Sequence, residues 1–488
     1  MTDTGSTRER FAARQTFAER AWEPPFVPAL LTPGGWTPQR PLPSVSDEAW
    51  AVLAQADALV APGFARLVQT AILARPDAEV FYGDDVVLGA PAATGLRLKP
   101  DFDPALLAAK DYIGAPLIVR GSILSRLGGL RSALGQAGLY DLVLRAHGAG
   151  AAIARIPEVL AAYAGTRPET PLADRRRALE DWIGPRPFEV AAGRTADTLQ
   201  LRRRFDTFPE VTVVVPTRQA GPGKGKPPFV AALLDDLART DWPMDRLRVL
   251  VGDDRPDAEA FAARPWPFRL TRIETPRAAG EPFNYAAKMN RLWRAATTEH
   301  IVLMNDDVTA PSAGWLKALM TFAMEADVGG VGARLLFPDG RVQHAGVPGG
   351  QFGAAGHAWL GEPADRPTYQ DWALVHRDWS MVTGAVFATR RSVLEAVNGF
   401  DERFALEFND ADLCLRLRLM GLRIVCTPFA EMIHREKASR GDAEVPGAQV
   451  ALFLNRWRDY LADDPAWHPR LSRDRIDPAP IDAPDWFG

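Results

Sequence analysis

The chain has 488 residues, 47% hydrophobic and 24% charged, with 57 basic against 61 acidic residues and a formal net charge of -4. That is ordinary soluble composition and enough chain for roughly two to four domains. The near balance of charge speaks against a nucleic-acid coat or a disordered acidic tail. Two cysteines only, Cys414 and Cys426, each in an apolar context, exclude a disulfide or zinc framework and fit a reducing compartment. The first residues, with Arg8, Glu9, Arg10 and Arg14, lack the apolar centre of a signal peptide, and no apolar run is long enough to span a bilayer. A cytoplasmic location is expected, with contact at the inner face of the cell membrane at most peripheral.

Residues 1–47 are rich in proline and polar side chains and are expected as an extended surface arm with little regular structure. Residues 48–165 turn globular, with strands at Ala51–Leu53 and Ala78–Tyr82 around an amphipathic helix from Gly63 to Ala74. Residues 166–209, arginine-rich and helical near Asp174–Trp182, end at Phe208-Pro209 and are expected as a linker. At Val211–Thr217 a β-branched run announces the first buried strand of an α/β domain. The following Gly221–Lys226 is not a Walker motif, because no Ser or Thr follows a Gly-Lys, and it is expected as a mobile loop.

A second strand, Leu247–Val251, ends in Gly252-Asp253-Asp254, and a third, Ile301–Met304, delivers Asn305, Asp306 and Asp307 into a loop. Open α/β sheets place ligands at such strand ends, and crowded hard oxygen donors suit Mg²⁺ or Mn²⁺. Strands and helices alternate to about Leu336, as in a parallel sheet. The glycine-rich Gly346–Gly356 is expected as a flap that orders on donor binding. In the tail, residues 446–488, an amphipathic helix over Val450–Leu461 is expected to dock on the second domain; membrane-surface association is the alternative.

The chain also contains an internal duplication. Residues 51–62 lie on 300–311 at an offset of 249, Gly114–Gly129 on Gly384–Gly399 at 270, and Asp141–Arg145 on Asp412–Arg416 at 271. Opposite Asp307 stands Ala58, opposite Asp410 stands Leu139, and opposite His434 stands Tyr163. The first copy has less chain ahead of it than residues 211–275 supply to the second. It is expected to keep the packing without the chemistry, as a scaffold, a dimerisation element or an acceptor holder, with homo-oligomerisation left open.

Val211–Thr217, Gly252–Asp254, Asn284–Asn290, Asn305–Asp307, Thr383–Ala385, Asn398–Glu402, Asn409–Arg416 and His434 through Ser439-Arg440 stand in the order seen in family 2 glycosyltransferases of the GT-A fold. The second half of the chain resembles that family, and within it the bacterial rhamnosyltransferase-type members of surface-polysaccharide pathways. The resemblance covers about residues 210–470. It implies an α/β fold with a Rossmann-like mixed sheet over 210–445, preceded by a truncated, degenerate GT-A-like copy in 48–165.

What the resemblance implies chemically is transfer of a sugar, with inversion, from a UDP- or dTDP-linked donor to a glycan or lipid-linked acceptor. A divalent cation, Mn²⁺ or Mg²⁺, would neutralise the leaving diphosphate. Asp307 matches the second acid of the family's Asp-x-Asp motif and His434 its late histidine, so both are assigned to the metal; Asn305 stands where the motif has its first acid. Asp410 matches the base that takes the acceptor proton. Asp412, two residues on, would face elsewhere on a helix, and its counterpart Asp141 marks it as structural. Pro216, Thr217, Asp253, Asp254, Lys288, Asn290, Asn305 and Asp306 are assigned to the nucleotide and diphosphate, and Trp379, Thr383, Gly384 and Asn409 to donor sugar or acceptor. Two rivals stand beside this. A carbohydrate-binding scaffold of the same fold is favoured by Asn305; a nucleotidyltransferase would want a glycine-rich, basic loop after the first strand, which Ala220–Lys226 does not supply.

Overall fold

In the computed structural model the residues described are 15, 16, 18–21, 23, 26–31, 45–223, 226–255, 264–277, 280, 282–435 and 446–481. Most of the amino-terminal arm, the centre of the 221–226 loop and Ser439-Arg440 lie outside them. The chain divides into two compact units: one runs to Gln200 and takes back Trp467–Ser472 and the stretch from Pro478, the other holds Leu201–Ala466 and Arg473–Asp477.

The first unit is built on a seven-stranded mixed sheet. Its strands are β1 (Phe26–Leu31), β2 (Trp50–Gln55), β3 (Leu59–Val60), β4 (Val80–Val87), β5 (Leu96–Arg97), β6 (Leu117–Arg120) and β7 (Ile153–Tyr163), in the order β1-β2-β6-β4-β7-β3 with β5 against β4. β1 pairs parallel with β2, so part of the arm expected to lack regular structure is a strand. Phe26 and Ala29 are both buried; three positions apart, they face opposite sides of the sheet, and Phe26 joins the core of Trp50 and Phe81. A two-stranded hairpin, β8 (Phe188–Ala192) with β9 (Leu199–Arg203), follows, and the boundary between the units falls inside β9. The segment expected as a linker is therefore structured. Helix Leu172–Ile183 buries Ala178, Leu179 and Ile183, and the buried Arg175 donates to the Thr170 carbonyl.

The second unit has a ten-stranded mixed sheet made of β10 (Val211–Thr217), β11 (Leu247–Asp253), β12 (Arg269–Glu274), β13 (His300–Met304), β14 (Val308–Thr309), β15 (Val328–Leu336), β16 (Val342–His344), β17 (Arg377–Trp379), β18 (Val386–Arg390) and β19 (Arg423–His434). The order is β12-β11-β10-β13-β18-β15-β19-β14, with β16 against β15 and β17 against β19. β10 lies parallel between β11 and β13 with all seven residues buried, which explains its unbroken β-branched sequence. Beyond β13 one reversed strand, β18, is inserted antiparallel to both β13 and β15, and β15 and β19 again run in the direction of β13, so up to Leu336 only the two-residue β14 departs from the expected parallel direction.

The duplication is visible as topology. The run β13-β18-β15-β19-β14 repeats β2-β6-β4-β7-β3 with the same strand directions, and β10 beside β13 repeats β1 beside β2. Trp50 pairs Arg120 where His300 pairs Arg390, so the offset in this strand is 250 and not 249. It is still 250 at Leu59: β4 and β7 pair Val86 with Ala162 as β15 and β19 pair Leu336 with Ile433, so Leu59, on Ala162, answers to Thr309, on Ile433, and Asp57, not the expected Ala58, stands opposite Asp307. The first copy also possesses a counterpart of β10, though among the described residues none of β11 or β12.

Candidate active site

The sheet directions bring the ends of β10, β11, β13 and β19, the start of β18 and the amino terminus of helix Asn409–Leu419 to one side, around a cleft of ≈ 500 Å³. Val308 pairs with His434 across β14 and β19, which sets Asp307 beside that histidine. Asp307 Oδ1 and His434 Nε2 are 3.1 Å apart, and both side chains are largely buried. His434 Nδ1 lies 2.7 Å from Gln343 Oε1, and the same amide donates from Nε2 to the His434 carbonyl at 3.3 Å. That orientation puts the ring hydrogen on Nδ1 and leaves a lone pair on Nε2.

Nε2 then faces a carboxylate oxygen, two acceptors in contact, an arrangement stable only with a cation or proton between them. Asn305 completes the corner: its Nδ2 is 3.4 Å from Nε2, and its Oδ1 accepts from the Tyr285 hydroxyl at 3.2 Å. Carboxylate and imidazole fit a divalent cation completed by water and phosphate oxygens, while Asn305 turns its NH2 group, which cannot ligate, toward this corner. Among the described residues no three His, Cys, Asp or Glu side chains form a metal cage of their own.

Across the cleft, Asp410 sits in the first turn of its helix, where the backbone dipole favours a carboxylate. Its Oδ2 accepts from the Gly384 amide at 2.7 Å, and Oδ1 from the Ala411 amide at 2.8 Å. Asp412 points the other way and is fully buried. It pairs with Arg416 at 2.8 Å and Arg456 at 2.5 Å, and accepts from Trp457 Nε1 at 3.0 Å. Arg416 in turn donates to the Val397 and Gly399 carbonyls. The first unit repeats this clamp: Asp141 holds Arg145, which donates to Leu127 and Gly129. An aspartate present in both copies thus ties a helix to a turn, and the one present only in the second faces the cleft.

On the donor side Pro216, Thr217, Asp254, Lys288, Asn305 and Asp306 all line the cleft, as do Thr383, Gly384 and Asn409. Thr217 donates its hydroxyl to Asp306 Oδ2 at 2.5 Å. Burial, reinforced by Asp307, pushes the Asp306 carboxyl up to about 6 against the pull of that hydrogen bond. Lys288 donates to Asp254 at 2.6 Å and to the Thr217 carbonyl at 2.9 Å; burial lowers its pKa while Asp254 opposes the shift.

Three expected site residues are not on the walls. Asp253 is fully buried, held by Gln219 at 2.8 Å and Arg272 at 2.9 Å, so it shapes the loop under the cleft. Asn290 donates to the Phe400 carbonyl and Glu402 and accepts from the Phe400 amide and Trp293, which leaves it nothing for a ribose. Trp379 is buried behind Gly346, where a Cβ would stand 2.1 Å from the indole at a φ of +116. The segment Gly346–Gly356 is no free flap: Gly350 donates to the Ala354 carbonyl at 2.7 Å and Phe352 to that of Arg473 at 2.8 Å. Conversely, Arg218, Arg277, Phe283, Tyr285 and Leu406 line the cleft without having been singled out. Only Tyr285 left a trace in the sequence, as the first helical residue after the cap Asn284.

Other expectations have simple outcomes. Helix Gly447–Ala462 belongs to the second unit and buries Phe453, Trp457 and Leu461, as its pattern predicts. Cys414 and Cys426 are free and buried. Among the described residues no helix is long and apolar enough to cross a membrane.

Comparison with known proteins places the second half of the chain in a family. Residues 209–445 match the family glycosyltransferase like family 2. The O-antigen biosynthesis protein RfbC of Myxococcus xanthus is 34% identical over 425 residues, 83% of this chain and 32% of that protein. The N-acetylglucosaminyl-diphospho-decaprenol L-rhamnosyltransferase of Mycobacterium tuberculosis is 28% identical over 171 residues, 33% of this chain and 55% of that one. The chain thus spans between a third and just over half the length of these curated relatives. Among solved structures, the mannosyltransferase PcManGT from Pyrobaculum calidifontis in complex with GDP-Man and Mn²⁺ has a TM-score of 0.35 and 19% identity, covering 58% of this chain and 76% of that one. With an α/β sheet of the expected mixed class, its motifs in family order and the match over 209–445, the second half of this chain is a family 2 glycosyltransferase domain.

Proposed function

We propose that the second unit transfers a sugar, with inversion at the anomeric carbon, from a UDP- or dTDP-linked donor to a glycan or lipid-linked acceptor in bacterial surface-polysaccharide synthesis. The observation that carries this is the convergence of Asp307, His434 and Asp410 on one cleft. Asp307 and His434, with Asn305 beside them, would hold Mn²⁺ or Mg²⁺, which supplies Lewis-acid neutralisation of the diphosphate as it leaves. Thr217, Asp254 and Lys288 bind the nucleoside and orient the phosphates. Asp410 Oδ2 takes the acceptor hydroxyl proton while that oxygen attacks the anomeric carbon and the bond to the diphosphate breaks. The Gly384 amide holds Oδ2 in place, which aims the carboxylate. Two relatives named for O-antigen biosynthesis and rhamnosyl transfer support the substrate class.

A non-catalytic scaffold draws on Asn305, an amide where the family has an acid. The two are separated by following release of nucleoside diphosphate from UDP- and dTDP-sugars with Mn²⁺. Turnover by the wild type that Asp307→Ala abolishes is expected; no release from any donor would leave the scaffold standing.

A further inference from the structure

The first unit has a cleft of its own, ≈ 350 Å³, in the place where the second unit has its site. It opens at the end of β2, beside the last residue of β7 and the start of helix Gly138–Gly148, as the other opens at β13, β19 and helix Asn409–Leu419. Loss of function alone would leave such a hollow free to fill with apolar side chains. It has stayed open and polar, lined by Gln55, Asp57, Gln136, Leu139, Tyr163 and Glu169 among others.

The replacements remove one chemistry and leave another. Leu139 stands for the base and Tyr163 for the histidine, while Asp57 keeps the place of the metal aspartate. With a phenol where the imidazole was, that carboxylate has no nitrogen ligand beside it to hold a cation in the same way. The basic side chains at its walls are engaged: Arg97 with Asp85 at 3.0 Å, Lys110 with Asp197 at 3.6 Å, and Arg175 with that same Asp197. Asp57, Asp111 and Glu169 on the same walls would repel a diphosphate. By contrast, the side chains of Gln55, Gln136 and Glu169 make no hydrogen bond to another described residue. Amides that both donate and accept, beside a carboxylate that accepts strongly, match the hydroxyls of a neutral sugar.

We infer that this cleft is a binding site for a neutral glycan, which tethers a polysaccharide chain to the protein without acting on it. It does not depend on the transfer proposed for the second unit. The test uses the full chain on a printed array of neutral bacterial surface polysaccharides, with and without UDP plus Mn²⁺. Wild type and Asp307→Ala are expected to hold the same polysaccharides within twofold in Kd, undisturbed by UDP and Mn²⁺. Gln136→Trp, an exposed position that the indole would carry into the cleft, is expected to weaken binding at least tenfold with an unchanged melting temperature. The double variant Asp57→Ala/Glu169→Ala, also exposed, should do the same, and it decides the matter if Gln136→Trp fails to fold. Absence of binding to every polysaccharide, competition by UDP and Mn²⁺, or full affinity in the folded cleft variants would overturn the inference. A chain that binds glycan here yet releases no nucleoside diphosphate would refute the transfer and leave this site intact.

Discussion

Asp410→Asn isolates the proton-transfer step from everything else the second unit does. The amide oxygen of asparagine can still accept from the Gly384 amide, now 2.7 Å from Oδ2, so the side chain keeps its place. What is lost for folding is the attraction of one carboxylate for the helix amino terminus, about 0.3–1 kcal/mol, and the hydrogen bond from the Ala411 amide to Oδ1, which an NH2 group cannot accept, about 0.5–1.5 kcal/mol. In a unit of this size that lowers the melting temperature by no more than about 10 °C. What is lost for catalysis is larger: removing a positioned general base costs about 10²–10⁴-fold, or about 2.7–5.4 kcal/mol of transition-state stabilisation. The assay is release of nucleoside diphosphate at saturating donor, with donor affinity measured separately by calorimetry. Turnover should fall by that factor while donor Kd stays within about twofold, because Asp410 lies opposite the nucleotide side. Retention of more than a third of the turnover would refute the role of Asp410, as would donor affinity falling in step with rate.

Asp412→Ala should do the reverse, leaving Arg416 and Arg456 without their buried partner at a cost of about 3 kcal/mol, seen as a lower denaturation midpoint. If the midpoint stayed put, the clamp would not be structural. Gln343→Leu removes the acceptor that holds the ring hydrogen on His434 Nδ1, and Mn²⁺ affinity in the presence of UDP should drop about 10–100-fold with little change in fold. Unaltered Mn²⁺ titration in that variant would show that His434 needs no such orientation. Burial pushes the Cys426 thiol up to about 12, and Cys414 is raised further still, so a thiol reagent should label neither until the chain is unfolded. Fast labelling of the native protein would contradict the packing described for both.

How far the sequence reached depended on whether a residue's role was local. The buried strand β10 could be read because β-branched residues on both faces have few other places to go, and the acidic loop after β13 because short polar runs end such strands. The duplication even sorted Asp410 from Asp412, since one aspartate recurs in the first copy and the other does not. Where a role is set by distant partners, the sequence was silent or misleading. Asn290 reads as a ligand-binding amide beside Lys288, but the 400–402 turn, 110 residues away along the chain, takes both of its donor bonds. Trp379 reads as a stacking surface, but Gly346 lets it sink into the core.

By itself, then, the order of residues determined that two related α/β units follow one another and that only the second has an acid at the place of Asp410 and a histidine at that of His434. Periodicity and repeated spacing are properties of neighbours along the chain, so they survive without coordinates. Only the tertiary structure decided which of those groups share a cleft, that β1 completes the first sheet, and that an open polar hollow persists where the first copy has neither the base nor the histidine. Those facts depend on strand pairing between segments scores of residues apart, and no local pattern records which hydrogen bonds distant side chains will leave unmade.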